Sequence, residues 1–298
     1  MIDPALARKT WRRLEPVHGM VYFAPEAEEQ YAAVGIEHNR MQYFSSRSAP
    51  MGAVPAEVVV ATFFNFNPDL IRRAIPAAWA IASPETILAA RLRGVDAALR
   101  RALGDTIGSP EMKEAAGLAR IAAEGGSEFI SGRPLFAGHA HLPWPDEPHL
   151  ALWHAQSLLR EFRGDGHIGA LLVEGLTGVQ ALVIHGATGE VPPAALQQSR
   201  AWGDDAWNAA IDEMRSRGLV EPTGDLALTE AGRTHRQWVE DRTDALSVPA
   251  YAALGEEGTA RLGEIGRHFS RAVIDSGLLP FGVPSRAKYE TEERPAGC

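Results

Sequence analysis

The chain has 298 residues, enough for one large or two ordinary domains, and its 45% hydrophobic and 22% charged residues are normal for a globular protein. Its net charge of −9 argues against nucleic acid as the main partner, because phosphate binding requires a positive face. The single cysteine, Cys298, excludes a disulfide framework and a thiolate metal site within one chain. Without an apolar signal core or an apolar run of about 18 residues, we expect no membrane span and a cytoplasmic location.

Helices dominate the first part of the chain. Residues 55–67 are the most β-prone run, yet their apolar spacing suits a buried helix equally well. We favour a helix there, because Asn67-Pro68 follows and a second helix begins at once. Apolar spacing and capping residues predict further helices over about 3–15, 25–34, 84–103 and 109–125.

The span 125–148 is rich in glycine and proline, which excludes one continuous helix, although its apolar residues indicate an ordered connector. It contains His139 and His141, and with His149 just after it these form a second histidine cluster, close to the carboxylates of Asp146 and Glu147. On an extended segment, two histidines at this spacing point the same way, which is a common metal-binding geometry. The alternative interpretation is a plain loop.

The stretch 147–190 reads as two apolar helices broken by a polar hinge at 163–167. At and beside the hinge, charged and polar side chains interrupt apolar surroundings. When such groups are buried, they must be paired with a partner or serve a function such as binding or catalysis. They are Glu161, Arg163, Asp165 and His167, with His154 about two turns upstream.

The rest of the chain is predicted to form helices, interrupted by one turn-rich segment. Two short strands around Pro222–Asp225 predict a hairpin. A helix over about 255–276 carries an apolar stripe that we expect in the core or in a seam between two copies of a homodimer. Other helices are predicted over 192–200, 203–217 and 229–246.

The segment AAIDEMRSRGLVEPTGDLALTEAGRTHRQWVEDRTDAL, with the helices before it, resembles the MarR-like winged helix-turn-helix over roughly 168–250. The complete chain also resembles a family of actinobacterial proteins, through the runs YFSSRSAPMG and LWHAQSLLREFRGDGH. The resemblance implies a mainly α fold: a helical N-terminal region plus a winged helix-turn-helix with a small β-hairpin wing. It implies no reaction. The expected divisions are 1–146, 147–254 and 255–298.

In the MarR-like family, the third helix of the motif enters the DNA major groove. The matching helix here begins with Asp204 and Asp205 and has no Lys or Arg in its N-terminal half. The wing tip, Glu221–Asp225, is acidic as well. This charge pattern disfavours the reading of DNA bases by the helix. We therefore expect the functional site at the hinge instead.

We therefore predict a pocket beside the hinge that binds a small molecule. His154 or His167 would transfer a proton, Glu161 or Asp165 would orient the histidine, and Arg163 would anchor an anionic group. Four polar residues from the N-terminal region would line the opposite wall: His18, Tyr22, Tyr43 and Arg47.

Three alternatives stay open. The protein is a small-molecule-binding protein, with or without catalysis, whose cofactor is unknown and whose histidines are also compatible with a metal or haem. It is a ligand-responsive MarR-like transcription regulator. Or the cluster is structural, with Asp165 as a helix cap, Arg163 paired with Glu161, and both histidines satisfied within the core.

Overall fold

The computed structural model describes residues 2–280, together with Arg286 and Tyr289, so the expected tail lies otherwise outside the described residues. The first helices are α1 Pro4–Gly19, α2 Pro25–Ala32, α3 Asn39–Ser48, α4 Ala56–Thr62, α5 Pro68–Ala74, α6 Ala77–Ile81, α7 Pro84–Leu103 and α8 Pro110–Gly125. They are followed by α9 Pro134–Ala140, α10 Pro148–Val173, α11 Gly178–Gly186, α12 Pro193–Ser199, α13 Asp204–Ser216, α14 Glu230–Tyr251 and α15 Gly255–Asp275.

The mainly helical prediction is confirmed, and the β-prone run forms α4. Capping explains why the boundaries of α7 and α8 were predictable. The hydroxyl of Ser83 accepts a hydrogen bond from the amide of Thr86, and that of Ser109 accepts one from the amide of Met112. Each donor is the third residue of its helix, and a proline is the first.

The larger of two hydrophobic cores lies in the helical body, which we define as α1–α9, α15 and the first half of α10. Helix α15 packs along α1, and Gly266 lets the side chain of Leu14 approach closely. The predicted stripe on α15 is therefore core rather than a seam between copies. Its members Leu262, Ile265, Phe269 and Val273 are all buried.

The smaller core belongs to what we call the small unit: α11–α13 with the segment 217–229. Two long helices contribute to both cores. Helix α10 places Phe162 in the larger core and Leu171 in the smaller one, while α14 places Tyr251 and Val239 in the same two cores. These two helices therefore connect the body to the small unit.

The predicted β-hairpin wing is not supported. Within the described residues there is no strand, only an isolated antiparallel bridge between Val220 and Leu228. Two hydrogen bonds make this bridge, from the amide of Glu221 to Ala227 at 2.9 Å and from that of Thr229 to Leu219 at 3.1 Å, whereas the amide of Leu228 donates outside the hairpin, to Ala187 at 3.2 Å.

The predicted helix break at 163–167 is wrong. Helix α10 runs for 26 residues through this segment, and the chain bends later, by 98° between α10 and α11. The bend follows Gly175, whose φ is +64°, and a capping box of Thr177 and Gln180 then begins α11. In the described part of the chain, no single helix is long and apolar enough to cross a membrane, and α10 with α11 meets that test only as a bent pair.

Candidate functional site

The predicted residue that gathers the most partners is Glu161, which is 2% exposed in the middle of α10. Arg47 of α3 donates from Nη2 to both carboxylate oxygens, at 2.7 and 2.9 Å. Arg160 donates to the same carboxylate at 2.9 Å and lies 3.7 Å from Glu15 of α1. Three helices thus meet at one buried ion network.

Two phenols and an imidazole extend this network. Arg47 donates to the Tyr43 hydroxyl at 2.8 Å. The His18 ring bonds the Tyr22 hydroxyl through Nε2 at 3.0 Å and Ser157 through Nδ1 at 2.9 Å. The Tyr22 and Tyr43 rings lie 5.2 Å apart. We call the whole group the junction cluster: Glu15, His18, Tyr22, Tyr43, Arg47, Arg160, Glu161 and Arg200.

Aromatic rings surround the guanidinium groups. Arg47 lies 4.6 Å from the ring centroid of Phe63, and Arg200, just after α12, lies 4.6 Å from that of Phe66. The ring of Tyr43 is 5.6 Å from the ring of Phe66. Cations above aromatic faces are favourable, and more so when water is excluded. Arg200 therefore brings the small unit into contact with the cluster in the body.

Charge and burial together set the protonation states. Burial raises the pKa of Glu161, but Arg160 and Arg47 outweigh it and hold the pKa below its ordinary value. Burial would likewise raise the pKa of Tyr43, yet Arg47, Arg160 and Arg200 lower it overall. Tyr22 behaves oppositely, because burial prevails and raises its pKa to about 12. Burial, with Arg160, puts the pKa of His18 well below its ordinary value, so this ring is neutral near pH 7.

The charges of the cluster do not balance. Arg47 and Arg160 face Glu161 and Glu15, whereas Arg200 has no carboxylate partner among the residues that the structure describes. Its Nε is buried and, within the same residues, makes no hydrogen bond. The cluster therefore has an excess of positive charge where the body meets the small unit.

Two other predicted residues attach α10 to α14 instead. Arg163 donates to Asp244 at 2.7 Å and lies 3.3 Å from Glu240, and its guanidinium covers the ring of Trp11 at 4.5 Å. The His167 ring bonds the hydroxyl of Thr243 through Nδ1 at 2.9 Å. The predicted alternative of an Arg163–Glu161 pair is wrong, because each of the two has other partners.

Asp165 is not a helix cap, because α10 continues past it. One carboxylate oxygen accepts from the amide of Phe136 at 2.9 Å. The other is buried without a hydrogen bond to any described residue. Burial raises the pKa of this carboxyl to about 7. Nearby, Arg133 donates to the carbonyls of Phe162 and Leu246, which ties the connector to α10 and α14.

Among the described residues, the three remaining predicted histidines form no hydrogen bond to a member of the junction cluster, although His139 is near enough for its charge to act on Glu161 and His18. His154 packs edge-on against Trp144, with ring centroids 4.8 Å apart, and burial lowers its pKa to about 4. His139 lies on α9, not on an extended segment, and its Nδ1 contacts the Leu135 carbonyl at 2.8 Å. His141 is exposed beyond the end of that helix. The described residues contain no group of three or more His, Cys, Asp or Glu that could hold a metal ion.

The sequence interpretation missed three members of the cluster. Arg160 had one signal, its position beside Glu161 in an apolar run. Glu15 and Arg200 had none. Arg200 comes from a segment 134 positions after Phe66, the ring that its guanidinium covers, and only the tertiary fold joins them.

The outer face of α13 is acidic. Trp207 and Met214 face the smaller core, whereas Asp204, Asp205 and Asp212 are exposed. The acidic charge that the sequence predicted for this helix is therefore exposed on the protein surface.

Comparison with known proteins yields one match. The model of a helix-turn-helix family matches residues 7–280. No curated protein and no solved structure matches the chain. Because the matched region spans most of the sequence, the chain belongs to this helix-turn-helix family.

Proposed function

We propose that the protein binds a small molecule at the junction cluster, between the helical body and the small unit. The observation that carries this proposal is Arg200: its guanidinium has no carboxylate partner among the described residues, and its Nε is buried without a hydrogen bond to any of them. A buried charge without a partner is costly, and sites that keep one are frequently functional. Tyr22, Tyr43, Arg160 and Arg200 are intermediate in exposure, so part of each residue faces solvent.

The remaining members would position these groups. Glu161 holds Arg47 and Arg160 in place, and Arg47 in turn orients the Tyr43 hydroxyl. Donors fixed in advance lose little entropy when a ligand binds. The proposal concerns binding alone. The predicted proton-transfer roles of His154 and His167 find no support in their surroundings, since these rings lie against Trp144 and Thr243.

A ligand screen with a matched pair of variants tests this function. Thermal unfolding is measured with a small-molecule library that contains anionic, neutral and cationic members. We expect at least one hit whose affinity falls about tenfold in Tyr43→Phe, which keeps the ring but loses one hydrogen bond to the ligand. Tyr31→Phe, which alters a buried phenol outside the cluster, should bind normally. If no compound stabilises the wild type, or if every hit stabilises Tyr43→Phe equally, the site is misplaced.

A second candidate is a ligand-responsive regulator of the MarR-like type that binds DNA. Family membership favours it, and so does the order of α11, α12 and α13 followed by the 220–228 bridge and α14. In this interpretation the small unit is the helix-turn-helix domain, a homodimer binds the duplex, and the protein acts in the cytoplasm. The acidic face of α13 counts against it.

A further inference from the structure

We propose that two copies of this chain associate through one face of α14, which packs antiparallel against the same face of the other copy. The face consists of exposed residues that recur every three or four positions along the helix. We call it the α14 stripe: Ala231, Thr234, Trp238, Asp241, Arg242 and Ala245. The inference goes beyond the binding function of the junction cluster and does not depend on it.

The spacing of the α14 stripe is typical of a helix that packs against another helix. Alternating steps of three and four residues keep side chains on one side of an α-helix, where they can enter the spaces of a facing helix. The other side of α14 is occupied within the chain, because Val239 lies in the smaller core and Thr243 contacts α10. Trp238 is the largest member of the stripe and is 38% exposed. Its indole is apolar surface that a partner would remove from water.

Other exposed apolar residues lie at the two ends of the α14 stripe. Six of the ten large hydrophobic residues that are exposed in the described part of the chain belong to this region: Phe129, Ile130, Leu172, Val173, Trp238 and Leu246. Arg133 joins the connector to α14, since its amide donates to the Ile130 carbonyl and its guanidinium to the Leu246 carbonyl. At the other end, Glu174 lies 2.8 Å from His235, so the exposed pair that ends α10 is near the start of α14. Such a concentration of exposed apolar surface marks an interaction site.

The charges at the centre of the α14 stripe favour a second copy as the partner. Asp241 accepts a hydrogen bond from Gln237 at 2.7 Å. Arg242 lies 5.7 Å from the ring centroid of Trp238. Both charged residues are exposed, and the structure shows no ion pair between either of them and another described residue. With a two-fold axis between positions 241 and 242, Asp241 of each copy faces Arg242 of the other, which gives two pairs of opposite charge. The same register sets the large Trp238 against the small Ala245.

Other arrangements fit the α14 stripe less well. A parallel pair of helices would set Asp241 against Asp241 and Arg242 against Arg242, which brings like charges together at the centre. A strongly basic or strongly acidic partner would place one of these two residues beside a like charge. An antiparallel second copy avoids each of these conflicts.

Sedimentation equilibrium of the full chain, from low to high micromolar concentration, tests the proposal. Reductant is present throughout, so that a disulfide between two Cys298 side chains cannot mimic the dimer. We expect a reversible dimer of the 32.2 kDa chain. Arg242→Asp and Asp241→Arg should each weaken association by about tenfold or more, because each places like charges opposite one another.

Two further variants test the register. The double variant Asp241→Arg/Arg242→Asp should restore association, because exchanging the two charges preserves both pairs. Arg73→Asp, at an exposed position of α5, is the matched control for the change in net charge and should dimerise like the wild type. Circular dichroism checks that every variant is folded, and Trp238→Ala, which should also weaken the dimer, replaces any charge variant that is not.

A wild type that stays monomeric at high micromolar concentration would overturn the proposal. So would a dimer that neither charge reversal nor Trp238→Ala weakens, because association would then use another face. Equal weakening by Arg73→Asp would reduce the effect to net charge and overturn it as well. Weakening by both single reversals without restoration in the double variant would overturn the antiparallel register.

Discussion

At the scale of single residues, Asp165 is a buried acid whose charged form has few hydrogen-bond donors to stabilise it. One oxygen accepts from the Phe136 amide, and burial raises the pKa of the carboxyl to about 7 from 3.8. Because the folded protein then holds the proton more tightly than the unfolded chain, the contribution of this carboxyl to stability is greatest below the unfolded pKa. It is lost as the pH rises towards about 7.

Asp165→Asn should therefore stabilise the protein, and more so at alkaline pH. The amide oxygen of Asn can still accept from Phe136, while the ionisable group is gone. We expect the gain in unfolding free energy, from urea titrations, to be about 1–2 kcal/mol larger at pH 8 than at pH 5. Asp105→Asn, at an exposed position, should show no such dependence. A gain that is equal at both pH values would mean that Asp165 does not titrate in this window.

Part of the junction cluster could be predicted from the sequence at this scale. Polar residues in apolar context pointed to His18, Tyr22, Tyr43 and Arg47, and the structure brings all four to Glu161 or its immediate neighbours. Polar residues in an apolar context indicate which side chains need partners, but not which residues those partners are. Arg200 therefore could not be assigned, since its neighbours at 63–67 approach it only through tertiary packing.

At the scale of elements, the main surprise is the continuity of α10. Two glycines and three charged or ionisable residues suggested a hinge, because glycine is a poor helix former. Packing overrides that local preference. Arg163 and His167 bond to α14, and Asp165 bonds to the start of α9, so the polar residues hold the helix between its neighbours. Capped helices such as α7 were predictable because their signals are local.

Gly164→Ala tests whether this segment is helical in solution. A Cβ at this position would meet only the Glu161 Oε2, at 3.7 Å, which is an ordinary contact. In a helix, alanine should raise the unfolding free energy by about 0.5–1 kcal/mol, measured by chemical denaturation. Gly178→Ala should have the opposite effect, because its Cβ would lie 1.9 Å from the Phe64 carbonyl oxygen. A loss of stability in Gly164→Ala would favour a hinge over a continuous helix.

At the scale of the whole molecule, two cores share α10 and α14, and the junction cluster lies where they meet. The architecture therefore places the arginines of the cluster beside a unit whose outer helix is acidic. The two candidate functions differ in what that outer helix does. For small-molecule binding, the acidic face of α13 needs no partner, whereas DNA binding requires it to approach phosphates.

Charge reversal on α13 separates these functions. We expect wild-type protein to give no salt-dependent complex with duplex DNA in a mobility assay at roughly micromolar concentration, because Asp204, Asp205 and Asp212 repel phosphate. Changing these three residues together to lysine should create weak, salt-dependent binding, since it reverses the field at the exposed helix start. Three exposed aspartates elsewhere provide a control with the same change in net charge: Asp105, Asp146 and Asp275. If the control binds equally, net charge alone is responsible. If the wild type already binds a duplex tightly and loses the complex in salt, the protein is a DNA-binding regulator despite its acidic helix.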